Sequence, residues 1–333
     1  MAKLRRSVGL LVALAGLATA CVPPPPPGHP PGTPGTPGTP GGTHPCPMLP
    51  ADNIWNTRVD TLPVDPSSAT YVATIGAGST MHADFGSGLW NGGPIGIPYV
   101  VVNPGQPGVA VQFQVAGESE PGPYPIPPNA PIEGGAGSHG DRHVLVVDSG
   151  SCRLYELFSA YPNGDGSWRA YSGAAFDLRS NALRPDSWTS ADAAGFPILP
   201  GLVRYDEVAA GQIRHAIRFT APQTRNAHVW PATHDASSLT GGQYPPMGQR
   251  FRLQAGFDTS GFSPEVRVIL QAMKTYGIVL ADNGSPWFIS GAPDERWNND
   301  TLRELHRVPG SAFEAVDLRG LQVAQGSGQA HQP

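Results

Sequence analysis

The chain has 333 residues, of which 39% are apolar and 14% are charged, and its formal net charge is −5. An acidic chain with no basic stretch beyond its start argues against nucleic acid as a partner. With 42 glycines and 38 prolines, the composition predicts many turns and few long helices.

The first 20 residues predict a lipoprotein signal peptide. Basic residues near the start precede an apolar run over residues 8–18, which is too short to span a bilayer, since a span needs about 20 residues. Ala18-Thr19-Ala20 then precedes Cys21 and resembles a bacterial lipobox. The resemblance implies cleavage before Cys21 and attachment of lipid to its sulfur. The alternative is an ordinary secretory signal followed by an unrelated cysteine.

Residues 21–45 predict a tether. Their Pro-Gly-Thr repeats cannot form a helix, because proline lacks the N–H donor, and they contain no large apolar side chains for a core. Anchor and tether together predict an exported protein, held by lipid on the outer face of a bacterial membrane, with its folded part set away from the surface.

Residues 46–318 predict a single globular domain, followed by a flexible tail over residues 319–333. Most apolar segments are short and lie between turn residues, which is typical of strands. The main strand candidates are IPYVVV, VAVQFQV, RHVLVVD, CRLYELFSAY, QIRHAIRFTA, QRFRLQAGF, GIVLADN and PWFIS. The best helix candidate begins at Ser263-Pro264 and ends before Gly277. We therefore predict a mainly β fold, a sandwich or partly closed barrel, with a few short peripheral helices.

Two cysteines remain in the predicted domain, Cys46 and Cys152. Export places them in a compartment that permits disulfides. We predict that they form a bridge between the start of the domain and the turn of the hairpin around residues 142–161. The alternative is two separate buried thiols.

The chain lacks GxSxG, HExxH, Walker and CxxC motifs, so NAD- and ATP-dependent chemistry is not favoured. The strongest polar cluster lies on the Gly-rich loop EGGAGSHGDRH, which carries Glu133, Asp141 and His143. In an extended strand entry, Asp141 and His143 share one face. We expect them to meet Asp282, which ends another apolar strand, and these four residues are the catalytic candidates. The alternative is a structural loop held by an Asp141–Arg142 pair.

The same region contains enough ligand side chains for a metal. His82-x-Asp84 and His139-x-Asp141-x-His143 offer nitrogen and oxygen donors of the kind that zinc binds, and loop carboxylates also suit calcium. No spacing signature identifies a site. We therefore predict no cofactor and leave a divalent metal as an open alternative.

Seven tryptophans occur, most of them in loop-like contexts beside Asn, Asp or Arg. A flat ring with polar neighbours is a good surface for stacking sugars. The candidate substrate-binding residues are Trp90, Trp230 and Trp287, with Arg142 available to neutralise a uronate. Carboxylates beside such rings are typical of glycoside cleavage.

Four stretches, ADNIWNTRVDTLPV, GDRHVLVVD, WTSADAAGFPILPGLVRYDEV and ADNGSPWFISGAPDERW, resemble a group of uncharacterised exported bacterial proteins. The resemblance covers most of residues 51–317. It implies one domain and carries no activity.

We therefore predict a cell-surface lipoprotein that acts on extracellular or cell-wall glycan, as a glycoside hydrolase or polysaccharide lyase. The alternatives are a non-catalytic lipoprotein that binds glycan or wall, and a structural or assembly lipoprotein with protein partners. Whether the protein is an enzyme stays open at this point.

Overall fold

The computed structural model describes residues 45–333, so the predicted signal peptide, Cys21 and the tether up to residue 44 lie outside the described residues. Strands make up 25% and helices 16%, and the described part forms several sheets, none of which closes into a barrel. The prediction of a mainly β fold with a few short helices is confirmed.

The largest sheet has six strands and mixes parallel with antiparallel pairing. In spatial order it contains β1 (His82–Asp84), β14 (Phe288–Ser290), β11 (Ile217–Ala221), β13 (Ile278–Asn283), β12 (Arg250–Leu253) and β15 (Phe313–Ala315).

A four-stranded sheet lies beside it in the fold. Its order is β10 (Ser172–Asp177), β7 (Arg153–Phe158), β6 (Val144–Asp148) and β4 (Tyr99–Val102). The antiparallel pair β6–β7 is the hairpin expected from the sequence. Two smaller sheets complete the set: β2 (Leu89–Trp90) with β3 (Gly93–Pro94), and β5 (Val111–Phe113), β9 (Trp168–Ala170) and β8 (Tyr161–Pro162).

The core explains why β6 is apolar at four consecutive positions. Leu145 and Val147 belong to the main cluster, together with Phe219 of the six-stranded sheet. Val144 and Val146 face the other way, into a second cluster that includes Tyr124 and Trp168. A strand buried on both faces has no solvent side, so its sequence does not alternate.

Helices lie around these sheets, and the expected one is present. The α-helices are α1 (Ser68–Ile75), α2 (Tyr205–Ala209), α3 (Pro264–Thr275) and α4 (Asn299–Leu302), with 3₁₀ turns at Ile54–Asn56, Ala116–Glu118, Leu199–Gly201, Arg303–Arg307 and Gly310–Ala312. In α3, Val266, Ile269, Leu270 and Met273 are buried. This spacing of three and four places them on one face.

The predicted disulfide is confirmed: Cys46 and Cys152 are bonded, with their Cα atoms 5.4 Å apart.

The end of the chain differs from the flexible tail expected from residue 319. Gly328 accepts a hydrogen bond from Ile54 N, and Ala330 is buried and donates to Asp52 O. Backbone pairing with the segment that follows Cys46 thus holds a polar, Gly-rich end that carries little apolar surface of its own.

Candidate functional site

A row of polar side chains crosses one face of the six-stranded sheet. Asp84 of β1 pairs in register with Ser290 of β14. Arg218 of β11 donates from Nη1 to Ser290 Oγ at 2.7 Å. Residues in register point to the same face of a sheet. Asp84, Ser290 and Arg218 therefore share one side of the sheet.

A β-bulge adds Asp282 to this row. Phe219 of β11 pairs with Leu280 of β13, but the next residue, Thr220, pairs with Asp282, so Ala281 is the extra residue. Side chains alternate with a period of two, so without the bulge Asp282 would lie on the same face as Leu280 and Phe219. That face is opposite to the one that carries Arg218. The bulge instead directs the carboxylate toward Arg218, a use of bulges that recurs beside active sites.

Arg218 lies buried between two carboxylates. Its Nη2 is 2.9 Å from Asp192 Oδ2 and 3.7 Å from Asp282 Oδ2. Asp192 is 1% exposed and also accepts a hydrogen bond from Ala194 N. Burial, reinforced by the negative charge of Asp192, raises the pKa of Asp282 to about 7, although Arg218 opposes the rise.

The loop before β6 contributes a second ion pair. Nδ1 of His143 is 2.6 Å from Glu133 Oε2, and its Nε2 is 2.9 Å from Ala191 O. Two acceptors around one ring require a proton on each nitrogen. Burial favours the neutral ring, but the Glu133 carboxylate outweighs it and raises the pKa of His143 to about 9. The same pairing overcomes burial at Glu133 and lowers the pKa of that carboxyl.

Of the four catalytic candidates, the structure brings three together. Single ligand atoms of Glu133, Asp141 and His143 all lie within 4.8 Å of one another. Asp282 interacts with them electrostatically. The charge of His143 opposes the burial that raises the pKa of Asp282, and the charge of Glu133 raises the pKa of Arg218, which lies beside Asp282. Asp141 is exposed, whereas His143 is only 2% exposed. His143 therefore stands behind Glu133 and does not face solvent as an acid or base would.

The same three residues could hold a metal ion. His143 donates from Nε2 to a backbone carbonyl, which is how metal-bound imidazoles are usually oriented. Its Nδ1 would then be the ligand atom, and a divalent cation there would replace the proton between His143 and Glu133. Asp141 supplies a further carboxylate.

Four carboxylates reach solvent in this region, and we call them the carboxylate cluster: Asp84, Glu133, Asp141 and Asp282. Burial, then the charges of Glu133 and Asp141, raise the pKa of Asp84. Asp84 and Asp282 lie on β1 and β13, three strand spacings apart, or roughly 14 Å at about 4.8 Å each.

A cavity opens at each end of the carboxylate cluster. The His82 cavity, of about 440 Å³, is lined by Asp84, His82, Trp90, Phe288 and His306, among others. The Tyr171 cavity, of about 340 Å³, is lined by Asp282, Phe158, Tyr171, Thr189 and His234, among others. Aromatic rings and polar groups thus flank the carboxylates on both sides.

Two of the expected substrate-binding residues are buried elsewhere. Trp287 is 0% exposed and stacks between Phe219 and Phe313, so it forms core and not the floor of a groove. Arg142 is 2% exposed and stacks on Tyr161, while its guanidinium donates to carbonyl oxygens of residues 136, 138 and 160. Its charge holds the Gly-rich loop together from inside and is not available to a substrate.

The other two tryptophans are accessible. Trp90 is 72% exposed on the β2–β3 hairpin and lines the His82 cavity. Trp230 is half-buried, donates from Nε1 to Ser327 O at 2.7 Å, and lines a separate cavity of about 310 Å³ with Gln249 and Val316. Trp230 is absent from the linings of both cavities beside the carboxylate cluster.

Sequence reasoning missed Arg218 and Asp192, the buried pair beneath the cluster. The signal was present in IRFT, where a lone Arg lies between Ile217 and Phe219, because a charge in an apolar strand requires a buried partner. It also missed Glu156 of β7, which is fully buried and accepts hydrogen bonds from the backbone N–H groups of Ile198 and Leu199. Desolvation raises the pKa of Glu156 to about 7.

Comparisons with protein-family models, with curated proteins and with solved structures found no match to this chain. Within residues 45–333 there is also no helix long and apolar enough to cross a bilayer. Function must therefore be argued from the side chains of the carboxylate cluster and the two cavities.

Proposed function

We propose that the protein is an exported, lipid-anchored glycoside hydrolase that cleaves extracellular or cell-wall polysaccharide at the carboxylate cluster. One observation carries the proposal. Two carboxyl groups around the same buried cations have pKa values displaced in opposite directions, with Asp282 raised to about 7 and Glu133 lowered. Such divergent pairs are how active sites separate an acid from a base.

The roles follow from these protonation states. Asp282 keeps its proton near neutral pH and serves as the acid that protonates the leaving oxygen of the glycosidic bond. Glu133 is ionised and serves as the second carboxylate, which attacks the sugar or activates water. Asp141, exposed next to Glu133, adds negative charge that favours a cationic transition state.

Buried groups act as positioning residues. His143, bonded on both nitrogens, fixes Glu133 in one orientation and stabilises its charge. Arg218 spans Asp192 and Asp282 and sets where the acid lies. Groups that are held in place by packing and hydrogen bonds before substrate arrives lose little free energy to reorganisation during the reaction.

The arrangement favours a hydrolase over a lyase. A lyase that acts on uronates must neutralise the substrate carboxylate, and Arg142, the residue expected to do so, is buried and bonded to carbonyls. The side chains that reach solvent at the cluster are instead carboxylates, which repel an anionic sugar. A neutral or cationic glycan suits this surface.

The test is a polysaccharide screen with the full chain, read both for binding and for new reducing ends. We expect cleavage of at least one neutral or amino-bearing glycan, and its loss in Asp282→Asn, while the exposed control Glu295→Gln keeps it. Binding without new reducing ends in the wild type would contradict the proposal and favour the non-catalytic glycan-binding lipoprotein.

The mechanism above is written without a cofactor. A divalent cation at Glu133, Asp141 and His143 would change it, because Glu133 would then hold the metal and not act on the sugar. Cleavage that survives extensive dialysis against EDTA supports the two-carboxylate route. Activity that disappears in EDTA and returns with one added divalent ion would replace that route with a metal-dependent one.

A further inference from the structure

If the protein acts as proposed above, the His82 cavity has the size and position of a substrate subsite. Its volume of about 440 Å³ falls within the range of small-ligand sites. Asp84 belongs both to its wall and to the carboxylate cluster, so a group bound there would lie at the end of the cluster, three strand spacings or roughly 14 Å from Asp282. Phe288 and the stacked rings of His82 and His306 provide flat apolar surface.

An exposed tryptophan on a hairpin lines this cavity. Trp90 ends β2, and Asn91-Gly92, both at positive φ, form the two-residue turn to β3 that Asn-Gly sequences favour. Gly93 packs against the backbone of Gly134, where an added Cβ would lie 2.0 Å from the Gly134 carbonyl carbon. The hairpin is therefore fixed to the loop that carries Glu133, and Trp90 exposes 72% of its surface from a defined place.

Asp84 lacks a direct counter-ion. Its carboxylate makes no hydrogen bond or ion pair with any side chain of residues 45–333, and Arg218 is engaged with Asp192 and Asp282. Arg303, the cation lining the cavity, is paired with Asp300. Burial and the neighbouring His306 lower the pKa of His82, so that ring stays neutral near pH 7.

We propose that the His82 cavity binds a sugar unit carrying a protonated amino group, with Trp90 as the stacking surface and Asp84 as the counter-ion. An ammonium group brings the positive charge that the carboxylate cluster lacks on its solvent side. Trp90 and Asp84 line the same cavity, so a sugar unit bound there can contact both side chains. The substrate class is therefore an amino-bearing polysaccharide that crosses the cluster between the two cavities.

The experiment compares a β-1,4-linked glucosamine hexamer with its fully N-acetylated counterpart. Binding is measured by calorimetry on full-length Asp282→Asn, in EDTA and at a pH at which the amines are protonated and the Asp84 carboxylate is still ionised. We expect the amino hexamer to bind at least about tenfold more tightly, because a complementary charge pair discriminates between ligands. Adding Asp84→Asn should bring the two ligands to similar affinity, and Trp90→Ala should weaken both.

Glu295→Gln is the matched control, since Glu295 is exposed, absent from the cavity lining and not paired with a cation of the cavity. It should leave the preference intact. Equal affinity for the two hexamers, or a preference that survives Asp84→Asn, overturns the inference. Binding can be measured without turnover, so the two proposals can fail separately. Selective binding of the amino hexamer without cleavage by the wild type would contradict only the hydrolase proposal. Cleavage without a preference for the amino hexamer would contradict only the proposed subsite.

Discussion

The ion pair between Glu133 and His143 makes a prediction that does not depend on any enzyme activity. The folded protein keeps the His143 proton until about pH 9, whereas the unfolded chain releases it near 6.5. The stability that the pair contributes is therefore complete below pH 6.5 and is lost as the pH rises through 9. A difference of about 2.5 pKa units corresponds to about 3 kcal/mol.

The perturbation is Glu133→Gln, which keeps the shape of the side chain but removes its charge. Burial then dominates at His143 and favours the neutral ring. Protonation of His143 therefore adds nothing to the unfolding free energy of the variant. We expect the difference in unfolding free energy between wild type and variant to shrink by about 3 kcal/mol from about pH 6 to pH 9.5.

The assay is urea unfolding, followed by tryptophan fluorescence at several pH values, with Glu295→Gln as control. Glu295 is exposed, so this variant should track the wild type throughout. A wild-type advantage over Glu133→Gln that stays constant across the whole pH range would refute the reasoning. It would mean that His143 is neutral in the folded state and that Glu133 contributes only through packing or a neutral hydrogen bond.

Three further predictions concern activity, covalent structure and location. Because Asp282 must be protonated and Glu133 ionised, the rate of glycan cleavage should fall as pH rises through about 7, and a rate still rising above pH 8 would contradict that assignment. Replacing Cys46 and Cys152 by Ser opens a link spanning 106 positions and should cost up to about 5 kcal/mol in urea unfolding; two alkylatable thiols in native wild type would show that the bridge is absent. Cys21→Ala should release the protein from the membrane fraction, and a wild type that is already soluble would disprove the anchor.

Elements with strong local patterns could be predicted from the sequence. The β6–β7 hairpin follows from an apolar run, a Ser-Gly-Ser turn and a second strand, and α3 follows from Ser263-Pro264 and Gly277. The disulfide followed from export and the position of two cysteines. In each case the determining residues are close in sequence or chemically distinctive.

The candidate site was predictable only in part, because its geometry depends on contacts between distant segments. Crowding of charged residues on one loop pointed to Glu133 and His143. The pairing of Arg218 with Asp192 joins the interior strand β11 to a loop between β10 and the 3₁₀ turn at Leu199–Gly201, and the bulge that turns Asp282 toward them is one residue in a continuous apolar strand. Trp287 was misplaced because its loop-like context conceals a position inserted between Phe219 and Phe313.

The disulfide also determines how the body responds to a mechanical load. Cys46 is the second described residue, so a pull on the amino end of the body passes through the covalent bond to Cys152, in the turn between β6 and β7. The roughly 105 residues between the two cysteines bear none of this force. At about 3.4 Å per residue, stretching them would lengthen the chain by about 350 Å, and the intact bond prevents this. The force falls on the turn of a hairpin whose first strand, β6, is buried on both faces. Reduction of this one bond therefore sets how far the chain can be stretched.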